Sequence, residues 1–213
     1  MKKVFFGGSF DPPHNGHLGI AQAALASGRC SEVVWFPAYI PPHKITARRA
    51  SFADRIAMIK LLIKDEKQMS VSDFEAQIKL NPSYTINVLA RLKEETGDDY
   101  ALLIGADSLQ NLHLWHQADK LVDTVELICY PRNNANVSKE YLLQYWKPET
   151  VEKLLKSIIP GTFFEISSTG IKNSMEKSSL KHHIIQPELL PPEIAGYIRD
   201  NGLYLNNNAY RKG

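Results

Sequence analysis

The chain has 213 residues, with 25 lysines and arginines against 23 aspartates and glutamates, a formal net charge of +2 and 44% hydrophobic residues. That length buries one substantial core and the composition marks no second domain, so one unit over residues 1–205 with a frayed tail at 206–213 is expected. Near-neutrality argues against an extended nucleic-acid surface, and two cysteines far apart, Cys30 and Cys129, exclude a disulfide framework and fit a reducing cytosol.

Met1-Lys2-Lys3 imitates the basic start of a signal peptide, but the apolar run behind it stops at Gly7 after three residues. The expectation is therefore no export signal, no membrane span and a cytoplasmic protein. Short apolar runs rich in β-branched and aromatic residues recur at 4–6, 33–36, 101–104, 125–129 and 163–166, with a short extra strand near 69–71. Helical spacing of apolar residues fills 18–26, 52–63, 86–92 and 114–122. Strands buried on both faces and separated by helices predict a doubly wound parallel sheet, an α/β fold. Residues 133–160 open with an Asn-rich loop and continue as an amphipathic stretch at 141–155 broken by Pro148. They are read as helical decoration, with mobility or self-association into a homo-oligomer as open uses. Pro191-Pro192-Glu193 starts a final helix, because proline is tolerated in a first turn and an acid suits its positive end.

The polar oddities follow the predicted strands. Gly7-Gly8, Pro37 onward, Gly105-Ala106-Asp107, Pro131-Arg132 and Ser167-Ser168-Thr169 each stand at a strand's carboxyl end. In open α/β sheets that rim is where ligands bind.

Residues 7–17, G-G-S-F-D-P-P-H-N-G-H, concentrate the chemistry. Gly7 and Gly8 remove side chains that would hold backbone amides away from a phosphate, and a helix opening near Asn15 offers an anion site at its N-terminus. His14 and His17, three apart, share a face if the first turn starts near Pro13, and imidazoles donate to phosphate oxygens. Zinc is the other use of two histidines, but no Cys or third His lies at suitable spacing nearby. Asp11 before two prolines fits a turn-holding Asx bond and is read as structural or supporting.

This segment resembles the nucleotidyltransferase pattern G-x-F-D-P-x-H-x-G-H, and Ile166-Ser167-Ser168-Thr169-Gly170-Ile171-Lys172 resembles that superfamily's second motif, I-S-S-T-x-I-R. Pro41-Pro42-His43-Lys44, Ser83-Tyr84-Thr85, Gly105-Ala106-Asp107-Ser108-Leu109 with Trp115, and the closing Asn201-Gly202-Leu203-Tyr204 are similar to the bacterial nicotinate-mononucleotide adenylyltransferases. The resemblance implies transfer of AMP from ATP to nicotinate mononucleotide in NAD biosynthesis. It implies His14 and His17 as the catalytic pair. Gly7, Gly8, Ser9, Phe10, Gly16, Gly105, Asp107, Ser167, Ser168, Thr169 and Lys172 fall on its ATP site, and Lys44, Tyr84, Thr85 and Trp115 on its nicotinate mononucleotide site. Mg²⁺ is expected on the triphosphate, held mostly by water and phosphate oxygens, so no protein metal ligand is predicted.

Each residue also has a plainer use. Ser167, Ser168 and Thr169 include a candidate helix cap, as does Asp107, whose implied role is on ribose hydroxyls. Trp115 is either an ordinary core aromatic or the face on which the cationic pyridine ring stacks. Lys44, in a loop with Arg48 and Arg49, is a solvated cation or one that closes over phosphates. Lys172 replaces the usual Arg and lacks its planar fork; His116 stands where many relatives carry Tyr; Pro131-Arg132 inverts the familiar Arg-Pro order. Two other functions share the end motifs: nucleotidyl transfer to another phosphate acceptor such as phosphopantetheine, and a nucleotide sensor that has lost catalysis.

Overall fold

The four longer apolar runs nearest the N-terminus pair as parallel strands, and alternation along each of them sorts side chains to two faces. In the computed structural model, which describes residues 2–39, 49–131, 137–161, 166–177 and 188–204, the strands are β1 (Lys3–Gly8), β2 (Glu32–Pro37), β3 (Met69–Val71), β4 (Tyr100–Gly105) and β5 (Leu127–Tyr130). Their order across the sheet is β3-β2-β1-β4-β5, all parallel. Val4, Phe6, Val33, Trp35, Ala101, Leu103, Ile128 and Tyr130 enter one core, and Phe5, Val34, Phe36, Leu102, Ile104, Leu127 and Cys129 enter the other. The strands look continuously apolar because both faces are covered.

The first core is roofed by α1 (Asn15–Ala26), α2 (Phe52–Leu62) and α10 (Pro192–Asp200), through Ala21, Ala24, Met58, Ile59, Leu62, Ile194 and Ile198. The second is roofed by α3 (Phe74–Ile78), α4 (Thr85–Thr96), α5 (Ala106–Gln110), α6 (Ala118–Thr124), α7 (Lys139–Leu142) and α8 (Pro148–Lys156). A further helix, α9 (Ser168–Lys177), precedes α10. Helix α2 begins in a reciprocal capping box: the Ser51 hydroxyl accepts from Asp54 N–H, and the Asp54 carboxylate accepts from Ser51 N–H at 3.2 Å.

Two expectations change. The helix predicted at 114–122 is broken: a 3₁₀ turn covers Leu112–Leu114, Trp115 is extended, and Gln117 sits at φ 51° before α6 starts. Leu114 had supplied the apolar period, yet it is 72% exposed, so its spacing reported no buried face. Residues 141–155 do contain helix, with Pro148 at the first position of α8, but they are more than decoration, since Leu142, Trp146, Val151 and Leu154 are buried in the second core. The strand predicted at 163–166 falls outside the described residues except for Ile166, which is not in a strand. Residues 206–213 also lie outside them. No helix among the described residues is long and apolar enough to cross a membrane.

Both thiols are buried and free. Burial pushes Cys30 upward and Cys129 up to about 12, so thiolate is scarce near neutrality. Ellman's reagent is therefore expected to label neither cysteine in native protein and both after unfolding in urea; rapid native labelling would contradict this core.

Candidate active site

The chain leaves β1 toward one side of the sheet, builds β2 and β3, and returns to add β4 and β5 on β1's other flank. The switch between β1 and β4 opens a crevice at their carboxyl ends. Two adjoining hollows occupy it, about 260 Å³ and about 250 Å³. Phe10, His14, His17 and Ile166 line both, so the histidine pair is the wall between two lobes.

The rings of His14 and His17 are in close, tilted contact, with centroids 3.7 Å apart and planes 30° apart. They meet by a different route from the predicted one. Helix α1 starts at Asn15, and His14 is its N-cap with extended backbone, φ −153°. Its ring folds over the helix start because Gly16 has no side chain; a Cβ there would lie 3.1 Å from the imidazole. Two of the first three amides of α1 are already engaged, Asn15 N–H by Leu189 C=O at 3.3 Å and His17 N–H by His14 C=O at 2.9 Å. Among the described residues Gly16 N–H is the one left of those three, so the helix terminus offers less to an anion than its sequence suggests.

Gly7 and Gly8 also serve packing. A Cβ on Gly7 would meet the Phe5 ring at 2.7 Å, and one on Gly8 the Phe10 ring at 2.8 Å. Phe10 has a left-handed backbone, φ 47°, at a cost of about 1–2 kcal/mol. Its buried ring offsets that cost by packing on Phe6, Trp35 and, edge-on at 5.1 Å, His17.

The larger lobe is lined by Gly7, Gly8, Thr85, Gly105, Asp107 and Trp115. Thr85 is the first residue of α4, and Tyr84 before it stacks on His116, centroids 4.1 Å apart and planes 17° apart. Asp107 is exposed in the first turn of α5; its carboxylate leans back over Gly105, where a Cβ would stand 2.6 Å from Oδ1. Trp115 is half-buried, with one side on the second core and the lobe before it.

The smaller lobe is polar, lined by Ser9, Asp11, Arg49, Ser167, Ser168, Thr169 and Lys172. Ser167 Oγ accepts from Gly170 N–H at 3.0 Å as a cap, and Ser168 Oγ donates to Pro12 C=O at 2.9 Å. Only Thr169 among the three hydroxyls has no protein partner within the described residues. Lys172 Nζ is 2.9 Å from Asp11 Oδ2 and lies over the Tyr204 ring. Asp11 does far more than hold its own turn: its Oδ1 accepts from Ala50 N–H at 3.1 Å and from Tyr204 Oη at 2.7 Å. Burial, then the Asp11 charge, hold the Tyr204 phenol far above its ordinary value.

Sequence reasoning missed two buried charges. Arg55, 1% exposed, donates to Ser9 C=O at 2.8 Å and Ala38 C=O at 2.9 Å, joining the segments that leave β1 and β2. Burial pushes it down to about 10, with Arg49 adding to the shift, and it stays charged near neutrality. Glu75, also buried, accepts from Ser83 Oγ and Tyr39 N–H. An arginine three residues before Met58 and four before Ile59, on the apolar face of α2, was the legible sign. Lys44, Arg48, Arg132 and residues 133–136 lie outside the described residues. Among those described, no three His, Cys, Asp or Glu side chains gather as a metal cage.

Residues 5–174 match the family model described as Cytidylyltransferase-like. A nicotinate-nucleotide adenylyltransferase of Bacillus subtilis (strain 168) is 32% identical over 206 residues, covering 96% of this chain and 99% of that one. The chain belongs to the nicotinate-nucleotide adenylyltransferase family. Another member, a probable nicotinate-nucleotide adenylyltransferase of Synechococcus sp. (strain JA-3-3Ab), is 35% identical over 201 residues, 94% of this chain and 93% of that one. The fold of this family member is shared with the Plasmodium falciparum nicotinic acid mononucleotide adenylyltransferase complexed with NaAD, at TM-score 0.72 and 19% identity over 96% of this chain and 98% of that one.

Arg55→Met keeps most of the volume and strands the carbonyl of Ser9. It is expected to lower unfolding stability by about 3 kcal/mol in urea titration; a loss under about 0.5 kcal/mol would show that the rim segments hold without it.

Proposed function

We infer that the protein transfers AMP from ATP to nicotinate mononucleotide, releasing pyrophosphate and forming nicotinate adenine dinucleotide for NAD biosynthesis. The paired histidines forming the common wall of two unlike lobes carry this reading. The reaction brings together two anions, and a site with one aromatic compartment and one of cations and hydroxyls suits a pyridine mononucleotide facing a triphosphate.

Trp115 offers the pyridinium ring a face for dispersion and cation–π attraction, and the amides at the start of α4, by Tyr84 and Thr85, suit its carboxylate. Gly7 and Gly8 let the phosphates of ATP approach the backbone, and Asp107 is assigned to its ribose. On the other side, Ser9, Thr169, Arg49 and Lys172 take phosphate oxygens. Lys172 reaches them by leaving Asp11, and its single ammonium serves as a point charge where a fork would grip two oxygens. Lys44, five residues before Arg49 in the same connection, is assigned to closing over phosphates.

No general base is needed, since a phosphate monoester's second pKa is about 6 and its attacking oxygen is already largely ionised. The acceptor oxygen attacks the α-phosphorus, the bond to the pyrophosphate oxygen breaks, and His14 and His17 donate to the oxygens that gain charge. The donors here suit phosphate oxygens, so Mg²⁺ is assigned to the triphosphate, where it would neutralise the leaving pyrophosphate.

His17→Ala is expected to reduce pyrophosphate release by about 10²–10³ while leaving the melting temperature within a few degrees. Near-normal turnover would remove the histidines from catalysis. Wild-type protein given ATP with each candidate acceptor should make product from nicotinate mononucleotide. Product from phosphopantetheine alone would move the acceptor assignment, and ATP binding without any pyrophosphate release would favour a sensor.

A further inference from the structure

Glu75 takes no part in the chemistry above, yet it is 7% exposed, and one of its carboxylate oxygens is shared by two segments distant along the chain. Phe74 packs into the second core and draws its neighbour on α3 inward. Burial raises the Glu75 carboxyl; the Ser83 hydroxyl, the Tyr39 amide and the Arg55 charge oppose that. Its Oε2 accepts from Ser83 Oγ at 2.8 Å and from Tyr39 N–H at 3.3 Å. Tyr39 stands two residues after β2, and the carbonyl before it, that of Ala38, is held by Arg55. Ser83 stands directly before Tyr84, the N-cap of α4, and Thr85, its first residue.

Tyr84 makes no side-chain cap, and its carbonyl takes the N–H groups of Asn87 and Val88 at 2.9 and 3.1 Å. The amides of the two residues before them have no partner in the turn that follows, by the geometry of any helix start. The aim of those donors therefore depends on where Ser83 is anchored. A buried carboxylate accepts a stronger hydrogen bond than a neutral group, and removing it leaves the Ser83 hydroxyl and the Tyr39 amide without that acceptor.

We propose that Glu75 is a positioning residue for the acceptor substrate, fixing the start of α4 against the segment after β2 so that the pyridine lobe keeps its shape. This rests on the function inferred above. Losing the anchor opens the acceptor lobe while the triphosphate lobe, built from Asp11, Arg49 and α9, stays in place.

Steady-state kinetics with each substrate varied separately tests the proposal, using wild type, Glu75→Ala, Glu75→Gln and Ser83→Ala. Glu75→Ala is expected to raise KM for nicotinate mononucleotide about tenfold, the size of one charge-assisted hydrogen bond, with KM for ATP within about twofold. Glu75→Gln, which can place an amide oxygen where Oε2 lies, should recover most of the affinity; Ser83→Ala, which deletes one contact, should fall between. Equal rises in both KM values, a fall in kcat with neither KM changed, or no change would overturn the proposal. If Glu75→Ala does not fold, Ser83→Ala decides: a selective rise in acceptor KM supports the proposal and its absence overturns it. A wild-type protein inactive on this acceptor would instead defeat the functional reading, an outcome the wild-type arm reveals before any variant is compared.

Discussion

Two neighbouring parallel strands, β1 and β4, send their chains to opposite sides, and the gap left at their carboxyl ends is the constraint on which the site depends. The sheet places the gap but does not shape it. The segments leaving β1 and β2 share a last backbone bond, Ala38 N–H to Gly8 C=O at 2.9 Å, and buried charges add to it: Arg55 between Ser9 and Ala38, Asp11 between Ala50, Lys172 and Tyr204. Such charges are costly to bury unless their hydrogen bonds are met. Here the partners are largely backbone groups, which have no ladder of their own on this rim.

The same economy appears in the motif at 7–17. Its glycines accommodate aromatic rings of the chain itself, Phe5 against Gly7 and Phe10 against Gly8, as well as leaving backbone open to a ligand. Gly16 accommodates the His14 ring. The motif is thus a packing solution and a chemical one together, and its residues are constrained twice.

Much of the architecture was legible because β-branched and aromatic runs report burial on two faces directly, and because helix spacing in α1, α2 and α4 coincides with real contact. Leu114 misled for the opposite reason: periodicity counts an apolar residue whether or not anything covers it, and this one faces solvent. The histidine pair was legible as chemistry, though its geometry came from a folded-back cap and not from helical spacing. Arg55, Glu75 and Tyr204 were not legible as rim residues, since their importance lies in partners distant along the chain. Lys172 looked like an available cation; only its approach to Asp11 shows that the protein already engages it.

Tyr204 donates to Asp11 across 193 positions, and Ser168 and Lys172 reach the same turn from 156 and 161 positions away. A chain emerging from the ribosome completes its first four strands long before these partners exist. The turn that carries the buried aspartate is therefore the last part of the rim to gain its full set of partners during synthesis, because its phenol and ammonium are encoded after every strand of the sheet.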